Sequence, residues 1–79
     1  MGSTPVRGLA DVLRDEPVMR GKIAGLLQQD AMTIPEVAHA LSEPPREVTV
    51  WMMAMRRYGL IVELPKKRAD DYYQYRLAE

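Results

Sequence analysis

The sequence predicts a mainly α-helical domain that closes with a small β-hairpin. Three observations point there. Prolines and short polar turns cut most of the chain into four stretches with apolar residues at helical spacing. Gly59 ends the last of these, as a helix C-terminus favours. Beyond it, "LIVEL" and "YYQYRL" read as two short strands across the polar turn "PKKRADD".

The elements follow in order. Thr4-Pro5 reads as an N-cap and a first-turn proline, and Val6, Leu9 and Leu13 mark a short amphipathic helix. Asp15-Glu16-Pro17 ends it and starts a second helix over about 17–29, with Met19, Ile23, Leu26 and Leu27 on one stripe. Ala31-Met32 is a candidate extended piece. Thr33 then caps a third helix, with Pro35 in its first turn and Glu36 placed for a capping box. Ile34, Val37, Ala38 and Leu41 form its apolar face. In "SEPPRE", Pro44 holds Glu43 extended and Pro45 opens a fourth helix over about 45–58. A hairpin over about 60–77 completes the chain.

The totals bound the function. Seventy-nine residues make one small domain, and a chain of this size buries only about 60% of the surface it exposes when unfolded. There is no cysteine, so a disulfide framework or thiolate metal site is excluded. The N-terminal stretch holds no long apolar run, so no signal peptide or membrane span is expected, and a cytoplasmic location is. Net charge is zero. Residues 44–79 nevertheless hold seven of the 11 basic groups and residues 1–43 six of the 11 acidic ones.

The order helix, short extended piece, helix, tight turn, helix, hairpin resembles a winged helix-turn-helix domain. "MTIPEVAHAL", a helix closing on "RRYGLI" and a hairpin ending "YQYRL" are similar to runs in MarR-like and ArsR-like regulators. The resemblance covers roughly residues 17–78 and leaves residues 1–16 as an N-terminal arm with an extra helix. It implies that residues 45–58 are a recognition helix for the DNA major groove. Lys66, Lys67 and Arg68 would be the tip of a wing lying on the backbone or minor groove. Two departures stand out. The turn between the two helices carries Ser42-Glu43-Pro44-Pro45 where a glycine is usual. Glu47 falls in the first turn of the recognition helix, where it suits the macrodipole but repels an incoming phosphate.

At 100° per residue, Val48, Trp51, Met52, Met55 and Tyr58 share one arc of the fourth helix. Val48, Met52 and Met55 are expected in the core. Trp51, at the arc's edge, is either a core anchor or an interface residue. The opposite arc holds Arg46, Thr49, Val50, Met53 and Arg57. Arg46 and Arg57 suit phosphate or guanine contacts, Thr49 a base edge or thymine methyl, and Val50 and Met53 apolar contact only. An apolar centre with arginine edges also fits a protein-binding patch. On the second strand, Tyr73, Tyr75 and Leu77 are expected inward, and Tyr72, Gln74 and Arg76 outward.

His39 is the only histidine and lies off its helix's apolar stripe, without the ligand set of a structural metal site. There is no glycine-rich phosphate loop and no catalytic constellation. Neither an enzyme nor a cofactor is expected. The leading expectation is a homodimeric DNA-binding regulator of double-stranded DNA, paired through Val6, Leu9 and Leu13. No room for an effector domain is expected in so short a chain. The alternative is a protein–protein adaptor of the same fold that docks through Val50, Trp51 and Met53.

Overall fold

A computed structural model describes residues 8–78. Its elements are α1 (Leu9–Arg14), α2 (Glu16–Leu27), β1 (Met32–Thr33), α3 (Ile34–Leu41), α4 (Pro45–Arg57), β2 (Ile61–Glu63) and β3 (Gln74–Leu77). The expected cap and first turn at Thr4, Pro5 and Val6 lie outside the described residues. Gly8 precedes α1 instead, and Asp15 ends α1 while opening α2, with Pro17 in the first turn.

The sheet is antiparallel in the order β1-β3-β2. Met32 pairs with Tyr75, and Ile61, Val62 and Glu63 pair with Leu77, Arg76 and Tyr75. The extended piece thus becomes a third strand, one residue later than expected. Helices over this small sheet, with β2 and β3 as the wing, make a winged helix-turn-helix with an extra N-terminal helix.

The core gathers one face from each element. Ile23, Val37, Val48, Trp51, Met52, Met55 and Ile61 are fully buried, with Val12, Met19, Leu27, Ala38 and Tyr75 around them. Trp51 decides how α1 sits. It is 0% exposed, and its indole N–H donates to the Val12 carbonyl at 2.6 Å. That bond satisfies the only polar atom on a large apolar ring and fastens α1 to α4.

Local chemistry fixes the turns. The Glu36 amide donates to Thr33 Oγ1 at 3.2 Å, and the Thr33 amide donates to Glu36 Oε1 at 2.8 Å, completing the capping box. Helices α3 and α4 end alike. The Glu43 amide reaches the Ala38 carbonyl at 3.0 Å, and the Leu60 amide reaches the Met55 carbonyl at 2.9 Å. This geometry needs a left-handed residue at each end. Gly59 supplies it for α4 at φ 76°, and Ser42 supplies it for α3 at φ 55°. Ser42 therefore takes the place of the glycine usual in this turn, at a cost of about 1 kcal/mol for its Cβ.

Tyr58 shares the core arc by angle but not its burial, and the inward expectation for Tyr73 is corrected. Tyr58 is 62% exposed: it caps the end of α4, past the core, and its ring lies 5.9 Å from the Arg20 guanidinium. Tyr73 is also exposed, because strand pairing begins only at Gln74; its ring lies 5.4 Å from Lys66 Nζ.

Candidate nucleic-acid interface

Burial divides α4 into three sides, where the sequence suggested two. The inner side is Val48, Trp51, Met52 and Met55. A flank against α1 carries Glu47 and Val50, which line an apolar cleft of ≈ 240 Å³ with Leu9, Val12 and Arg46. The outward side carries Arg46, Thr49, Arg56 and Arg57 exposed, with Met53 half-buried among them.

This division places each candidate. Trp51 leaves the contact surface altogether, since a fully buried ring cannot meet a partner. Val50 is half-buried on the α1 flank rather than central on the outward side. Met53 packs partly on the core, and forms a shallow hollow with Arg56 and Arg57. The Thr49 hydroxyl donates back to the Pro45 carbonyl at 2.8 Å, so its methyl and lone pairs are what remain for an outside group. Arg46 and Arg57 are exposed and form no ion pair among the described residues.

Glu47 is 4% exposed, and is the one buried charged residue among the described residues. Its side chain turns to the α1 flank, so the phosphate repulsion expected from the sequence is directed away from the outward side. It still complements the positive end of the α4 dipole.

Arg56 was missed as an outward residue. The spacing Thr49, Met53, Arg56 places it on the same stripe, a signal the sequence held. Its Nη2 lies 3.7 Å from Glu63 Oε1, bringing the end of α4 to the root of the wing. The other Glu63 oxygen accepts from the Tyr75 hydroxyl at 2.9 Å. Tyr75 is pushed up to about 12, first by burial, then by this hydrogen bond and the carboxylate's charge.

One of the three wing cations is engaged within its own loop. Lys66 Nζ donates to the Asp70 carbonyl at 2.9 Å, and the Lys67 amide donates to Asp70 Oδ2 at 3.2 Å. The side chains of Lys67 and Arg68 remain exposed. The groove between this loop and the start of α3 is lined by Glu36, Asp70 and Asp71 beside Lys67 and Tyr72. That flank of the wing is unfavourable to phosphate.

On the extra helix, Leu9 is 63% and Leu13 45% exposed, while Val12 faces the core. Val6 lies outside the described residues. Among the described residues no group of three or more His, Cys, Asp or Glu side chains is placed to hold a metal ion, and no helix is long and apolar enough to cross a membrane.

No protein-family model matches the sequence, and no curated protein matches it. A solved structure does: ZitR from Lactococcus lactis, in a mutant form with one cysteine changed to serine, at 19% identity and a TM-score of 0.65. The match covers 100% of this chain and 50% of that one, so the chain spans half the length of the protein it resembles. What the two have in common is the fold, a winged helix-turn-helix.

Proposed function

We propose that this chain is a DNA-binding regulatory domain, with the outward side of α4 in the major groove and the wing on the backbone. The observation that carries this reading is the pairing of two arginines on α4, Arg46 and Arg57, unengaged among the described residues, with a buried, averted Glu47. Phosphate anchoring falls to Arg46 and Arg57, with Lys66, Lys67 and Arg68 secondary. Thr49 and Met53 offer mostly methyl contact, which suits thymine, and Val50 stands at the edge of that surface. Readout of sequence is thin, so backbone contacts dominate affinity.

A second copy pairs through Leu9 and Leu13, whose exposed side chains at i, i+4 form one apolar strip on α1. Two half-sites about one helical turn apart, or a multiple of it, would then be occupied together.

Fluorescence anisotropy of a labelled duplex tests the reading. Affinity should fall linearly with salt on logarithmic axes. Absence of binding at low salt would remove it. Sedimentation should show twice the monomer mass, lost in Leu9→Asp without unfolding; a monomer throughout would rule out pairing.

One observation favours a second reading. The cleft of Leu9, Val12 and Val50, rimmed by Arg46, is apolar enough to seat a side chain of a protein partner. A Val50→Glu variant, which puts a charge into that cleft, separates the two readings. On the adaptor reading, it loses a protein partner that the parent retains, and the parent binds no duplex.

A further inference from the structure

Glu63 stands where three elements meet. It lies on β2, directly opposite Tyr75 on the central strand β3, and faces Arg56 at the end of α4. Its two oxygens are held unequally. Oε2 takes a 2.9 Å hydrogen bond from the hydroxyl of Tyr75, a residue 5% exposed. Oε1 is 3.7 Å from Arg56, too long for a hydrogen bond. The Arg56 side chain is 51% exposed, against 27% for Glu63. The anion is thus fixed by the sheet, whereas the cation is loosely held on a flexible stem.

Arg56 also belongs to the outward stripe with Thr49 and Met53. The same guanidinium therefore faces two anions when a duplex arrives: the carboxylate it already has, and a backbone phosphate. We propose that Glu63 sets the affinity of this surface for nucleic acid by occupying Arg56, so that a phosphate must displace the carboxylate before Arg56 adds to binding. The inference rests on the DNA reading above. Arg46 and Arg57 have no such competitor among the described residues, and they carry the backbone term that Arg56 is withheld from.

Glu63→Gln is the direct test. The amide retains a carbonyl oxygen for the Tyr75 hydroxyl and removes the charge facing Arg56. Duplex affinity should rise about two- to fivefold at low salt, the range of a part-exposed ion pair. The salt slope should steepen by about 0.9, one more phosphate neutralised. Adding Arg56→Gln should cancel both gains. A folded Glu63→Gln with unchanged or weaker binding would overturn the proposal. Arg56→Gln alone covers the case of a variant that does not fold: its slope should stay near the parent's, and a fall of about 0.9 would overturn the proposal. A parent chain that binds no duplex at any salt removes the DNA reading itself, a result distinct from a parent that binds and variants that do not differ.

Discussion

The inner and outer sides of α4 are built from similar residues and do different work. Inside, Val48, Trp51, Met52 and Met55 are at most 1% exposed. Outside, Met53 shares its surface with Arg46, Thr49, Arg56 and Arg57. Two adjacent methionines, Met52 and Met53, fall on opposite sides of this divide. The lesson is that residue type does not assign a role on this helix, but angle and neighbours do. The same holds for charge. Three arginines on α4's outward side and three cations on the wing are equal by count, yet Arg56, Lys66 and the Lys67 backbone already have partners.

The largest effect belongs to the inner side. Trp51→Ala removes the ring that joins α1 to the core and should cost about 3–5 kcal/mol in chemical denaturation. A loss below about 1 kcal/mol would mean that α1 is not anchored through this ring.

The outer side should respond in binding and not in stability. Replacing Arg46 and Arg57 together with Gln should lower the salt slope by about 2 and leave unfolding within about 0.5 kcal/mol of the parent. The matching change of Lys67 and Arg68 should cost less, about threefold in affinity, because Asp70 and Asp71 offset the wing. Equal losses would erase the distinction between helix and wing.

High pH tests the Tyr75–Glu63 link where the two sides meet at the wing. The Tyr75 hydroxyl is raised from 10.0 to about 12, so the folded state holds its proton more tightly than the unfolded chain. The resulting stability is fully present below the unfolded value and is lost as pH rises through the folded one. Ultraviolet titration should show one of the four tyrosines ionising late. Glu63→Gln should move that late step only part of the way down, because burial is its first cause and the carboxylate its second; a step that does not move would refute the link.

The smallest effect is at the turn that aims the helix. Ser42→Gly should stabilise by about 0.5–1 kcal/mol, since glycine takes φ 55° without a Cβ penalty. A destabilised variant would show that the serine side chain contributes more than its backbone strain costs.

What the sequence made legible was local. The Thr33–Glu36 box, the prolines at 17, 35 and 45 and the glycine at 59 each act within a few residues, so the element order could be read directly. What it hid was long-range. Trp51 stands at the margin of the apolar arc, and only the Val12 carbonyl, 39 residues away, resolves it. Glu47 and Val50 turn toward α1, whose position no periodicity gives. The Arg56–Glu63 pair depends on hairpin register, and Tyr73 on where the strand begins. The exposure of Arg46, Thr49 and Arg57 was therefore legible, whereas Val50 and Trp51 lie further inward than a partner surface requires and Arg56 was overlooked as an outward residue.

Amide chemical-shift mapping with a short duplex tests the central claim most directly. The largest perturbations are expected at Arg46, Thr49, Met53 and Arg57, with smaller ones at Lys67 and Arg68 and little change at Leu9 and Val12. Perturbations centred on the Leu9–Val12–Val50 cleft, or none at all, would contradict the claim.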